Sequence, residues 1–256
     1  MPSCRVLNLL AGLLFIPMLT AVAPLHGQTS PIATDRPAVT DASVVVPKGS
    51  LQMENGVQTT PAAGERAIDA PESLVVFGLT DATELRFTVP DYFRGASGSG
   101  FGDLALGVKQ QIGHTASKLD VSLVVSLTFP TGANAASSHG YDPALQMPWS
   151  QKLSGNWTAA GMLSMYWLTQ SGARNLTGES TFLFDRQLTG SWDAFVEYAG
   201  DFPEHGAPRH LLHFGTAYKL GPLQQVDLHV GAGLSRAAVD HFIGIGYSFR
   251  FQAGRR

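Results

Sequence analysis

Large apolar residues alternate with small or polar ones along most of this chain. The clearest run is near its end, where Ile243, Ile245, Tyr247, Phe249 and Phe251 share one parity and Gly244, Gly246, Ser248 and Arg250 share the other. A period of two is that of a β-strand with two unlike faces. The rhythm recurs from Leu51 to Val57, Leu85 to Val89, Leu104 to Ile112 and Leu119 to Phe129. It returns around Phe182 and Phe184, and in Trp192–Tyr198, Leu212–Leu220 and Val226–Leu234. Ser73–Leu79 and Trp157–Leu168 are apolar on both parities, which leaves their facing open. Pro143 and Pro148 weaken the strand around Leu145 to Trp149, because proline has no ladder donor. No stretch keeps a helical period. The pattern predicts about twelve strands, most near the roughly 9–11 residues of a tilted spanning strand.

The connections alternate too. Thr80–Ala82, Gly113–Ser117, Ser154–Gly155, Thr189–Ser191 and Gly221–Pro222 read as short links. Thr59–Ala70, Pro90–Gly102, Pro130–Tyr141, Gln170–Asn175 and Gly200–Pro208 read as mostly longer loops, with Ser235–Val239 a short exception. Short turns on one side and long loops on the other are the habit of outer-membrane barrels, and an even strand count puts both termini on the short-turn side, in the periplasm. A strand in hydrocarbon must pair its N–H and C=O groups on both sides, so only a closed sheet is stable there. The predicted fold is therefore all-β: a closed antiparallel transmembrane β-barrel of about twelve strands over residues 50–251. A soluble periplasmic β-sandwich or lipocalin-like binder is the alternative, with the same apolar face buried in a core. Trp149, Trp157, Trp167, Trp192, Tyr198 and Tyr218 lie near strand ends, where interface girdles form.

The N-terminus indicates export. Arg5, the apolar run Val6–Ile16 and the small residues Ala21-Val22-Ala23 describe a cleaved signal peptide over residues 1–27. Cleavage falls after Ala23 or after Gly27. The apolar run is shorter than the roughly 20 residues of a spanning helix. Cys4, the sole cysteine, is lost with the signal, so disulfides, cysteine zinc sites and thiol catalysis drop out. Charged residues are only 14% of the chain, against about 25% in an average soluble domain. The formal net charge of −3 gives no reason to expect nucleic acid as a partner. Residues 28–49 read as an extended lead-in, periplasmic or lumenal, and residues 252–256 as a polar tail.

In this register the polar parity faces an enclosed lumen. The candidate lumen-lining and selectivity residues are Glu54, Glu84, Arg86, Asp103, Lys109, Asp120, Glu197, His213, Asp227, His229 and Arg250. They form either a charge network that fills the interior or a permeation path with a selectivity constriction. Glu84 and Arg86 are the strongest pair, two apart on one face in mid-strand. Asp35 and Arg36 of the lead-in could reach lumenal charges as part of a plug; the alternative is a periplasmic tether. A lipid hydrolase built on a barrel is a further reading, but no Gly-x-Ser-x-Gly elbow occurs, and the alternation turns His213 and His229 away from lipid. No catalytic residue, metal site or cofactor is expected.

Several segments together resemble a known family: Asp35-Arg36-Pro37 with Thr40-Asp41, Val46–Gly56, Pro71–Leu74, Gly78–Asp81, Glu84–Phe87, Gly102–Lys109, Phe129–Gly132 and Gly140–Pro143. This order resembles the outer-membrane transporter family labelled putative MetA-pathway of phenol degradation. The resemblance covers nearly all of the chain after the signal. It implies a β-barrel that takes up small hydrophobic or aromatic molecules, with outer-membrane lipids, a small solute and the barrel assembly machinery as partners. The assembly signal of such barrels usually ends on a terminal aromatic; here Phe251 is followed by Gln252-Ala253-Gly254-Arg255-Arg256.

Overall fold

The computed structural model describes residues 30–62, 65–95, 98–114 and 119–252. The signal peptide, its cleavage site, Cys4 and the tail beyond Gln252 lie outside the described residues. Fifteen strand segments follow one another: β1 (Ser50–Ala62), β2 (Glu65–Ala70), β3 (Leu74–Gly78), β4 (Thr83–Thr88), β5 (Tyr92–Gly95), β6 (Gly98–Phe101), β7 (Leu104–His114), β8 (Leu119–Phe129), β9 (Asp142–Lys152), β10 (Trp157–Gln170), β11 (Ala173–Gln187), β12 (Trp192–Pro203), β13 (Arg209–Gly221), β14 (Gln224–Gly233) and β15 (His241–Gln252).

All belong to one antiparallel sheet. β2 and β3 both pair with β1, β5 pairs with β2 while β4 pairs with β3, and β6 pairs with β5 while β7 pairs with β4. Each of these three pairs is one interrupted stave, so the fifteen segments make twelve staves. The sheet closes where β1 meets β15, in unbroken register from Ser50↔Gln252 to Thr59↔Ile243. Closure leaves no edge for lipid to meet. The 11-residue β8 is about 36 Å long; tilted by about 40° it rises about 28 Å, close to an outer-membrane apolar band.

Exposure follows parity. On β15 Ile243, Ile245, Tyr247 and Phe251 are exposed, while Phe242, Gly244, Gly246, Ser248 and Arg250 are buried. On β8 Val125 is 53% exposed while Ser122 and Val124 are buried. The buried side of the sheet is thus the polar one, the reverse of a soluble sandwich. Trp157, Trp192 and Tyr218 are exposed near the end that carries the short links, and Tyr92, Phe101, Tyr141 and Phe202 near the opposite end. In the two stretches with open facing, Val76 and Met162 turn inward, while Phe77 and Leu163 turn out.

Some expected loops are strand instead. Thr59–Ala70 and Pro90–Gly102 extend the ladder as β1–β2 and β5–β6, and Gln170–Asn175 is a tight turn at Ser171-Gly172. Their polar composition suggested loops, but backbone pairing continues above the apolar band, where side chains need no grease. β9 is continuous through its prolines; its pairing with β8 lapses opposite Pro148, which has no N–H to give.

Val125→Arg places a cation on the lipid face in mid-strand. Equilibrium unfolding in vesicles should show a loss of about 2–4 kcal/mol. A soluble protein with Val125 on a wet surface would lose almost nothing.

Candidate functional site

The lead-in, here residues 30–49, hydrogen-bonds to side chains that project from the buried faces of β1, β4, β7, β8, β9, β11, β12, β14 and β15. Only a segment running through the interior of a closed barrel can meet staves on every side. Ile32, Thr40, Ser43 and Val46 are buried there.

Most of the charged residues expected on the inner face meet this segment. Glu54 accepts the amides of Asp35 (3.0 Å) and Arg36 (2.9 Å), and Gln52 Nε2 (2.8 Å). Arg86 pairs with Asp35 (2.6 Å), Asp41 (3.1 Å) and Glu84 (3.1 Å). Lys109 reaches Asp35 (3.1 Å), the Ala42 carbonyl (2.9 Å) and Glu84 (3.4 Å), and Glu84 also accepts the Val46 amide (2.7 Å). Opposite, Glu197 accepts the amides of Val39 and Thr40 (both 2.8 Å), the Thr40 hydroxyl (2.6 Å) and His213 Nδ1 (2.8 Å). Arg36 pairs with Glu72 (2.6 Å) and Asp227 (3.3 Å). His213 Nε2 lies 3.0 Å from His229 Nδ1, and His229 Nε2 lies 3.5 Å from Arg36 Nη2. Arg250 donates to the Ser30 carbonyl, and Asp120 accepts from Gln111 (3.3 Å).

Small residues make the room. Gly56 and Gly246 are cross-strand partners, and a Cβ on either would overlap the Arg36 guanidinium; one on Gly244 would overlap His229. The small parity of β15 is therefore a notch cut for these two side chains. Between lead-in and wall a cavity of about 10 Å³ remains beside Asp35, Glu54, Glu84 and Lys109, room for one water.

Asp103 departs from the expectation. It sits where alternation breaks, between β6 and β7, and accepts the amides of Gly132 and Ser138 (both 2.8 Å), which pins the loop between β8 and β9. Burial alone would raise its carboxyl pKa, but those backbone N–H groups hold it below the ordinary value. A depressed folded value means this tie is full above the unfolded pKa and is lost as pH falls through the folded one.

Sequence reasoning passed over the uncharged partners. Ser122 donates to the Ser43 carbonyl (2.7 Å), Ser150 bonds Ser43 (2.7 Å), Thr181 bonds Thr40 (2.6 Å) and Gln225 reaches Thr34 (2.9 Å). All lie on the inward parity that the strand pattern marks, and differ from the charged wall residues only in carrying no charge. Glu72 could not have been found this way: it lies in the β2–β3 break with φ of 43°, outside any alternation.

The fold and its filled interior define a class: a transmembrane β-barrel of the outer-membrane type, its interior crossed by its own N-terminal segment. The sequence profile described as "Putative MetA-pathway of phenol degradation" matches residues 34–251, and the chain belongs to that family. No protein of curated function matches it in sequence. Among solved structures it is similar to the COG4313 outer membrane channel from Pseudomonas putida F1, with TM-score 0.59, 16% identity, and 82% of this chain and 98% of that one covered. It is also similar to the NanC porin, with TM-score 0.57, 11% identity and coverage of 78% and 98%. The KdgM porin in complex with disordered oligogalacturonate gives TM-score 0.57, 11% identity and coverage of 79% and 99%. At these identities the likeness is one of fold.

Glu197→Ala should free the Val39 and Thr40 amides. A hydrogen bond to a charged group contributes about 1.5–3 kcal/mol, so amide exchange at both positions should rise roughly 10- to 100-fold. Unchanged exchange would mean that Glu197 does not hold the segment.

Proposed function

We propose that the protein is an outer-membrane channel for small aromatic molecules, with the lead-in as a plug. The observation that carries this reading is that Arg86, Lys109 and Asp227 of the wall find partners on a segment that is not part of the sheet and continues through Gly49 into β1. A permanent filling could have been built from wall residues pairing with each other. A tethered strand can leave, and it would uncover a lumen lined by Glu54, Glu84, Arg86, Lys109, Glu197, Asp227 and Arg250. Arg86 beside Glu84 and Asp35 forms the constriction that selects solutes, and Asp35 and Arg36 are the plug's anchors. Aromatic solutes as cargo are supported by the family's association with phenol degradation. A polar, charge-lined path suits aromatics that carry a hydroxyl or carboxyl group. The chain reaches the outer membrane through a cleaved signal peptide, and β15, with aromatics at Tyr247, Phe249 and Phe251, is the strand offered to the assembly machinery.

Planar-bilayer recording tests this. The refolded protein should give small, brief currents, and deletion of residues 30–49 should raise conductance severalfold. Arg86→Ala should raise it less and shift ion selectivity towards cations, since one fixed positive charge is lost. Equal, negligible currents from all three proteins would refute the channel reading.

A further inference from the structure

The short link between β9 and β10 shapes one corner of the outer wall. Gly155 and Asn156 turn the chain there with φ of 68° and 64°, a left-handed geometry that these two residue types tolerate best. The Leu153 amide bonds the Trp157 carbonyl (2.8 Å), and the Gln187 amide bonds the Asn156 carbonyl (3.0 Å). The first bond sets Leu153 opposite Trp157. The second draws the end of β11 against the start of β10. Trp157 therefore stands beside Arg186, its cross-strand partner, and the guanidinium lies 5.2 Å from the centre of the indole ring. On the other side Arg186 is paired with Ala194, while Ala159 is paired with Phe184. Two alanines among large neighbours leave a hollow. It is an apolar groove of about 320 Å³ lined by Leu153, Trp157, Phe184 and Val196, all exposed on the lipid-facing parity.

Arg186 stands out at this position. Among the described residues it is the one arginine on the lipid-facing parity at the short-link end. None of the described residues accepts a hydrogen bond from its guanidinium or pairs with its charge; its contact is the Trp157 face, which attracts the cation and leaves its N–H donors unfilled. The nearby carboxylates, Asp185 and Asp193, lie on the inward parity, and Asp193 is taken by Lys219 (2.7 Å). Lys152, next to Leu153 at the end of β9, is also exposed and without a carboxylate partner among the described residues. A cation on the lipid face is costly in hydrocarbon and favourable only at the interface, beside an anion. Short turns of outer-membrane barrels face the periplasm, so this end lies at the inner leaflet. The anion found at that depth is the phosphate diester of a phospholipid. Free phosphate would satisfy Arg186 and leave the groove empty, and a plain hydrocarbon chain would fill the groove and leave Arg186 unpaired. Charge and groove together fit one molecule that carries both parts.

We infer that Arg186 and the groove beside Trp157 form a binding site for one phospholipid of the inner leaflet. The guanidinium fork donates to the phosphate oxygens, a geometry that suits arginine better than lysine. The indole face holds the fork in place for it. One acyl chain runs up the wall over Ala194 and Ala159, between Trp157, Phe184 and Val196. Lys152 adds a second positive charge at the level of the headgroup. Two cations without a fixed anion favour a headgroup of net negative charge, so phosphatidylglycerol binds more tightly than zwitterionic phosphatidylethanolamine. The site lies on the outside of the barrel and does not depend on whether the lumen conducts.

The test is native mass spectrometry of the refolded full-length barrel, released from detergent micelles and titrated with phosphatidylglycerol. The wild-type protein should retain a single lipid ahead of any further ones. Arg186→Gln should weaken that retention roughly fivefold, the effect of one guanidinium at a charged interface. Ala194→Phe keeps the arginine and fills the hollow, and should weaken it at least as much. Both variants are checked for folding by heat-modifiable gel mobility. Arg94→Gln removes an exposed arginine at the opposite end of the barrel and should leave retention unchanged. A comparison on the wild-type protein needs no variant: phosphatidylethanolamine, and still more diacylglycerol with the same chains, should be held more weakly than phosphatidylglycerol. Equal retention of diacylglycerol would mean a greasy surface without a phosphate seat and overturns the site. So does full retention in both Arg186→Gln and Ala194→Phe, or an equal loss in Arg94→Gln, which would mark a general effect of charge.

Discussion

The pairing of the first strand with the last governs everything else. Backbone N–H and C=O groups cannot be left open in hydrocarbon, so β1 and β15 must meet, and they do so over ten consecutive residue pairs. Closure then sorts the side chains. One parity faces lipid and needs only to be apolar, which is why Leu163, Ile245 and Val125 are exposed. The other parity faces a narrow enclosed space, where Glu54, Glu84, Lys109, Glu197 and His213 are nearly sealed from solvent.

Sealing charges in this way is costly unless they are paired, and breaking one buried pair typically costs about 3–5 kcal/mol. Some partners lie within the sheet, as Glu84 does for Arg86 and Lys109, and the rest come from the lead-in. Arg36 meets Glu72 and Asp227, Asp35 meets Arg86 and Lys109, and the bare amides of Asp35, Arg36, Val39, Thr40 and Val46 meet Glu54, Glu197 and Glu84. The extended lead-in is suited to this work. With few backbone bonds of its own, it has free N–H groups to offer to carboxylates. The barrel closes the space, and the lead-in supplies the counter-charges that make the space tolerable.

Strand alternation was legible because it answers to one strong constraint, lipid on one face. The β15 facing, the inward placement of Glu84 with Arg86 on β4, and the stave count all follow from it. What alternation does not encode was misread or missed. The β1–β2 and β5–β6 extensions carry only scattered apolar residues such as Ile68, Tyr92 and Phe101, without sustained alternation, so they looked like loops. Asp103 and Glu72 lie at stave breaks, where parity has no meaning. The lead-in has no period at all, since its residues are chosen by the wall they touch; Asp35 and Arg36 stood out only as charges. The glycines at 56, 244 and 246 read as mere small residues, and only the arrival of Arg36 and His229 explains them.

The most direct measurement ties the lead-in to the wall and watches the current. Thr40 and Thr181, whose hydroxyls lie 2.6 Å apart, would be replaced together by cysteine in the refolded barrel. The oxidised, cross-linked protein should stay silent in a planar bilayer, and reduction should restore the small, brief currents of the untied segment. Conductance that is high and the same in both redox states, with the cross-link confirmed by mass, would show that solutes pass without regard to the segment and would contradict the account.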